Sequence, residues 1–281
     1  MPIEPYIDAH SHVWTPDVHH YPLAEGFTPA DMRPPSFTAE ELLAQCRPAG
    51  VGRVNLIQMS YYKFDNSYML DMLKLYPDRF VGTAIVDPLK EKVGERMEAL
   101  RPRGVRSFRI QPEYSKLPPD RWLQPEGYDD MFTTAARAKM SLSCLVNPNG
   151  FAEVGRMCAK YPETPVIIDH LGRVGVDGTI RDAEVEALCA LARHPKVSMK
   201  VGAFYALGAK QVPYDDLAPM IKRVVAAYGA NRCMWETDCP FQIDHARYVD
   251  SLNLVKDRLD FLSDDDKAWL LGKTAERVLF T

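Results

Sequence analysis

The chain has 281 residues, 46% of them hydrophobic and 26% charged, and 34 basic against 38 acidic side chains give a net charge of −4. Such a composition belongs to a compact protein with a sizeable core and excludes disorder or a collagen-like rod. A slightly acidic balance without any run of Lys or Arg also excludes an electrostatic footprint for nucleic acid or an anionic membrane, so a small-molecule partner is expected.

No segment approaches the roughly 18 apolar residues that a membrane span requires, and the opening Met1 to Tyr6 lacks a basic stretch followed by an apolar core. The six cysteines (Cys46, Cys144, Cys158, Cys189, Cys233, Cys239) are scattered without a C-x-x-C pair. Reduced thiols in a cytoplasmic protein are the expectation. Nothing in the sequence marks an oligomeric state.

In chain order, β-branched runs predict strands at Tyr6–His10, Arg53–Met59, Phe80–Val86, Val105–Ile110, Ser141–Val146, Val166–His170, Val197–Val201 and Cys233–Asp238. Amphipathic segments fall between them. Thr38-Ala39-Glu40-Glu41 is a capping box before Leu42–Gln45, and Pro77 closes Ser67–Tyr76. Further helices are predicted at about Lys90–Leu100, Tyr128–Lys139, Phe151–Tyr161, Asp182–Arg193, Asp215–Tyr228 and Ala246–Phe261, and Ser263 caps a last one. Eight strand–helix units without a linker or a composition break predict an α/β fold, a (β/α)8 TIM barrel formed as a single domain over residues 1–281. No strand leads into G-x-G-x-x-G or G-x-x-x-x-G-K-[ST], so a dinucleotide or nucleotide site has no support.

Side chains alternate across a strand, so one parity of a barrel strand faces the helices and the other the axis. Ile7 and Ala9 are the apolar parity of the first strand, leaving Asp8, His10 and His12 on the other. The same test leaves Ser107, Arg109 and Gln111 inward on the fourth strand, Ser143 and Asn147 on the fifth, Ser198 and Lys200 on the seventh, and Met234, Glu236 and Asp238 on the eighth. In the sixth, Ile168 and His170 share one parity and Asp169 takes the other. Polar groups therefore collect towards the C-terminal strand ends, where barrel active sites form. His10 and His12, two residues apart on a strand, lie about 6.6 Å apart along the backbone and can share one ion. His170 and Asp238 extend them to three imidazoles and one carboxylate, a set suited to zinc and tolerable for manganese or iron.

Asp8-Ala9-His10-Ser11-His12 resembles the opening D-x-H-x-H motif of the amidohydrolase superfamily, in its branch of lactonases and non-oxidative decarboxylases. Ile168-Asp169-His170-Leu171-Gly172 is similar to that branch's sixth-strand histidine. Trp235-Glu236-Thr237-Asp238-Cys239-Pro240 is similar to its eighth-strand aspartate, and Leu271 to Leu279 to its closing helix. The resemblance covers nearly the whole chain and implies the barrel fold and a hydrolytic site. Arg109 and Asn147 stand where two-metal members carry a bridging Lys or Glu and a His, so one divalent ion is implied. Some members of the branch work without metal, and that alternative stays open. Glu236 replaces a small residue of the motif, and an ion pair with Lys200 or Arg109 is its expected role ahead of a direct part in the chemistry.

The expected chemistry is opening of a carboxylated or sugar-acid lactone by activated water. Asp238 is the general base, with His170 beside it, and His10, His12, His170 and Asp238 hold one divalent ion, zinc by preference. Arg109 and Lys200 on the interior parity predict a small anionic substrate, although internal ion pairs with Glu236 or Asp8 fit equally well. Gln58 is a further substrate contact. A metal-dependent decarboxylase of an aromatic or dienoic acid would use the same ligands, and a non-catalytic binding barrel is the third reading.

Overall fold

Eight of the apolar runs fold into eight parallel strands in a computed structural model that describes residues 5–281. They are β1 (Tyr6–Ser11), β2 (Val51–Ile57), β3 (Phe80–Ala84), β4 (Val105–Ile110), β5 (Ser141–Cys144), β6 (Val166–Ile168), β7 (Val197–Val201) and β8 (Cys233–Trp235). Each pairs with its successor in chain order. Just past the end of β8 the chain returns to β1, where the Asp238 amide donates to the His10 carbonyl (2.9 Å) and the His12 amide to the Cys239 carbonyl (2.7 Å). Hydrogen bonds thus link the last strand to the first, the closure expected of a (β/α)8 barrel.

The main helices are α1 (Ala39–Cys46), α2 (Ser67–Leu75), α3 (Val93–Leu100), α4 (Pro112–Ser115), α5 (Glu126–Ala138), α6 (Phe151–Lys160), α7 (Asp182–Ala190), α8 (Ala218–Tyr228), α9 (Tyr248–Asn253), α10 (Asp264–Ala268) and α11 (Thr274–Leu279). Both predicted caps form. Thr38 Oγ1 accepts the Glu41 amide while Glu41 accepts the Thr38 amide, and Ser263 does the same with Asp266. The helix expected over 246–261 is shorter: α9 passes into a wider π turn at Leu254–Arg258. None of the helices among the described residues is long and apolar enough to cross a membrane.

Two apolar layers hold the barrel. The outer one packs strand residues such as Val54, Phe108, Ile168, Met199 and Trp235 against the helices. The inner one joins Ile7, Ala9, Val81, Ile167 and Met234 with Ala275 and Leu279 of α11. That inner layer corrects the expected parity of β1. Ile7 and Ala9 face the axis, and Asp8 faces outward, where it accepts the Tyr248 hydroxyl of α9 (2.8 Å) and the Thr237 amide (3.0 Å). A register shift against β2 between Asp8 and Ser11 then restores the inward direction for the histidines, because a bulge re-aims every side chain after it.

Candidate active site

β6 and β8 end two and three residues before the histidine and the aspartate that the sequence placed at their tips. Alternation sends Asp169 inward after Ile167, and would send His170 away from the axis. Instead His170, Leu171, Gly172 and Arg173 adopt left-handed backbone, with φ of 56°, 51°, 62° and 57°, and this turn brings the imidazole back over the barrel mouth. Asp238 has φ of 63°. Each left-handed non-glycine residue costs roughly 1–2 kcal/mol, a strain typical of functional positions.

These turns bring the predicted groups together. His10 Nε2 lies 3.2 Å from His12 Nε2 and 3.5 Å from Asp238 Oδ1, and His12 Nε2 is 3.2 Å from the same oxygen. His170 Nε2 is 4.0 Å from Asp238 Oδ2. His10, His170 and Asp238 each offer one ligand atom within 4.8 Å of the others. All four residues are buried. The cavity above them holds about 370 Å³, a volume suited to one small ring compound, and His12, Arg109, His170, Arg173, Tyr205 and Asp238 are among its walls. A larger cavity of about 1030 Å³ opens at the opposite end of the barrel, by Ser141, Lys196 and Arg232 near the strand starts, and contains none of these groups.

Below the cavity lies a layer of buried ions. Lys200 is fully buried, with Nζ 2.9 Å from Asp169 Oδ1, 3.0 Å from His10 Nδ1 and 3.3 Å from Ser143 Oγ. Of its two expected roles, substrate contact or an internal ion pair, Lys200 takes the second, outside the cavity wall and with Asp169 rather than Glu236 or Asp8 as its counter-ion. Glu236 pairs with neither Lys200 nor Arg109. Its Oε1 accepts from His170 Nδ1 (2.7 Å) and the His170 amide (3.1 Å), and its Oε2 faces His10 Nδ1 at 3.1 Å. Arg109 does reach the cavity, with Nη2 3.3 Å from His170 Nε2, and its internal partner is Asp169 (3.6 Å) rather than Glu236 or Asp8. Gln58 also lines the cavity, while its amide donates to the Lys63 and Asp65 carbonyls (3.3 and 2.6 Å) and so holds the loop after β2.

Burial and charge set the protonation states. Burial alone would raise Asp238, but the imidazoles around it, His170 foremost, hold its carboxyl well below the usual range. Burial opposes ionisation of Glu236 too, and the imidazoles of His170 and His10 reverse it. Burial lowers His12 to about 4. His170 moves upward, because Glu236 and Asp238 outweigh its burial. Burial pushes the Cys239 thiol well above its ordinary value, consistent with an inert residue.

Three site residues escaped sequence reasoning. Asp169 lies beside the predicted His170, yet parity assigned it to the other face. Tyr205 donates its hydroxyl to Asp238 Oδ2 at 2.7 Å and stacks on His245, ring centroids 5.1 Å apart. Its signal was its place in the loop after β7, on the side of the barrel where such loops reach the mouth. Arg173 is the third, carried into the wall by the left-handed turn.

The donor set fits a divalent cation. A carbonyl only accepts, so the contact of His12 Nδ1 with the Ile57 carbonyl (3.0 Å) leaves its Nε2 as a lone pair, and His170 is fixed the same way by Glu236. Two imidazole lone pairs and an ionised carboxylate on one cavity wall are the chemistry of a transition-metal site.

An eight-stranded parallel barrel with histidines and an ionised aspartate at the C-terminal strand ends defines a class of barrel with a hydrolase-type site. A family model described as Amidohydrolase matches residues 7–281, and the chain belongs to that family. It is similar to the 4-sulfomuconolactone hydrolase of Rhizobium radiobacter, 25% identical over 89% of this chain and 79% of the relative. It is also similar to the L-fucono-1,5-lactonase of Burkholderia ambifaria, 26% identical over 96% of this chain and 93% of that one. Among solved structures, an amidohydrolase from Burkholderia multivorans with bound zinc superimposes with a TM-score of 0.81 at 18% identity, covering 98% of this chain and 99% of that one. These likenesses bear out the barrel predicted from the sequence.

Proposed function

We propose that the chain, acting as one domain over residues 1–281, hydrolyses a small lactone that carries a carboxylate, with Asp238 as general base. The observation that carries the reading is the placement of an ionised, buried Asp238 on the wall of a ring-sized cavity, with Oδ1 beside two imidazoles and Oδ2 fixed by Tyr205. The names of the two relatives, both lactone hydrolases, support it. His10, His12, His170 and Asp238 would hold one divalent ion, with zinc the first choice for histidine and carboxylate donors. When bound, such an ion supplies Lewis acidity toward the acyl carbonyl.

The chain's own groups account for the rest. Asp238 Oδ1 takes a proton from water as the water oxygen attacks the acyl carbon. The tetrahedral oxyanion lies within a field made positive by Arg109, whose guanidinium also suits a substrate carboxylate. As the ring C–O bond breaks, the proton held by Asp238 passes to the leaving alkoxide. The product acid then ionises, so each turnover releases one proton.

A panel of carboxylated and sugar-acid lactones followed with a pH indicator tests the reaction. Asp238→Asn is expected to abolish turnover while the protein still melts cooperatively as a folded chain. Turnover within about tenfold of the parent would remove Asp238 from the mechanism, because loss of a general base costs about 10²- to 10⁴-fold. Release of CO2 from an aromatic acid, without proton release from any lactone, would replace hydrolysis by decarboxylation.

A further inference from the structure

Glu236 is fully buried, and its two oxygens serve two different histidines. Oε1 takes both Nδ1–H and the backbone amide of His170, at 2.7 and 3.1 Å. Oε2 has no hydrogen-bond partner, yet it lies only 3.1 Å from His10 Nδ1, within reach of a proton on that nitrogen. His10 Nδ1 is also 3.0 Å from Lys200 Nζ, an ammonium that can only donate. The same nitrogen thus sits between a donor and an acceptor, and its choice fixes what His10 presents to the cavity.

If Nδ1 accepts from Lys200, the ring proton is on Nε2, which then points an N–H at His12 Nε2 and Asp238 Oδ1, and Glu236 Oε2 stays a buried, unpaired anionic oxygen. If Nδ1–H donates to Glu236, Oε2 is satisfied, Lys200 keeps Asp169 and Ser143, and His10 Nε2 becomes a lone pair. Only the second arrangement makes His10 a ligand. Asp169 Oδ1, at 3.8 Å from Nδ1, is too far to take the proton instead.

We propose that Glu236 is a positioning residue for cation binding, which accepts Nδ1–H from His10 and His170 together and so turns both Nε2 lone pairs toward the Asp238 corner of the cavity. This rests on the divalent ion of the proposed function, but its test needs no substrate. Without the carboxylate, His10 Nδ1 would meet donors alone and His10 would be locked as an Nε2–H donor. Glu236→Gln has the same shape: its carbonyl oxygen can still accept from His170, while its NH2 adds a second donor facing His10.

The experiment is zinc binding by chelator competition on parent, Glu236→Gln and Glu236→Asp, together with 15N spectra of labelled histidines during the zinc titration. The parent is expected to bind zinc with His10 moving to its Nδ1–H form. Glu236→Gln should bind about 10- to 100-fold more weakly, the usual loss when an outer carboxylate partner is removed, with His10 held as Nε2–H. Glu236→Asp should recover part of the affinity by restoring an acceptor. Thermal melts of the zinc-free proteins separate this from unfolding. A folded Glu236→Gln that binds zinc as the parent does, or an aspartate variant no better than the glutamine one, overturns the proposal. A parent that takes up no zinc overturns it together with the ion of the proposed function, whereas a parent that binds zinc but opens no lactone overturns only that function.

Discussion

Asp238 uses its two oxygens differently, and Tyr205 is the reason. Oδ2 accepts the Tyr205 hydroxyl at 2.7 Å, while Oδ1 faces His12 and His10 and is the oxygen left to meet water. A hydrogen bond to a charged group is worth about 1.5–3 kcal/mol, and it restricts rotation of the carboxylate as well. Tyr205→Phe removes the bond and keeps the ring that stacks on His245. Its kcat is expected to fall by about 10- to 100-fold with KM nearly unchanged, because the lost contact orients a base rather than gripping substrate. Steady-state kinetics on any lactone the parent opens would check this, and a loss confined to KM would move Tyr205 into substrate binding. At this scale the sequence was legible where chemistry is local. The His10-x-His12 pair, His170 and Asp238 carry their meaning in residue type and strand position. The partners of Lys200 and Glu236 do not, because which acid meets which base in a barrel interior depends on the stagger of separate strands. Parity placed Arg109, Lys200 and Glu236 inside together and was silent on how they sort into a cavity wall and a layer beneath it.

Among the elements, the turn Asp169 to Arg173 decides the most. It converts the inward Asp169 and the His170 that follows it into two groups on the same side of the sheet. Gly172 makes that turn feasible in two ways: its φ of 62° suits glycine, and a Cβ there would stand 2.4 Å from Phe151 Cζ and 2.8 Å from Leu188 Cδ1. Phe151 opens α6 and Leu188 lies in α7, so the turn is wedged against two helices. Gly172→Ala is expected to lower stability by about 1–3 kcal/mol through overpacking and left-handed strain, and to reduce kcat more than its melting temperature alone suggests, since His170 would shift. A variant with parent activity would show that the helices yield and the turn does not. Sequence patterns identified the strands of the barrel and the caps at Thr38 and Ser263, because period and caps are local signals. They extended β6 to His170 and β8 to Asp238, because left-handed backbone at non-glycine residues leaves no mark on hydrophobic period. The register shift in β1 was hidden for the same reason, and the apolar Ile7 and Ala9 read equally well on either face.

Over the whole molecule, the site concentrates buried ionisable groups whose folded and unfolded proton affinities differ, so stability must depend on pH. Burial lowers His12 from 6.5 to about 4, so between those values the unfolded chain binds a proton that the folded one refuses. Its contribution is complete above pH 6.5 and is lost as pH falls toward 4, amounting to about 3 kcal/mol. His170 has the opposite sign. Its folded value is raised, mainly by Glu236 and Asp238 against the pull of burial, so its stabilisation is present below pH 6.5 and is lost as pH rises through the folded value. Asp169 and Asp238 are held well below 3.8, by Lys200 and by the imidazoles respectively, and their loss falls at more acid pH, outside that interval. The protein stripped of metal by a chelator should therefore be most stable near pH 6.5, with a melting temperature that declines on both sides. His12→Asn removes the titrating group and should flatten the acid side between pH 6.5 and 4 while leaving the alkaline decline in place. Chemical denaturation at pH 4.5 and 6.5 measures the difference directly, and an acid slope unchanged in His12→Asn would assign it to other groups.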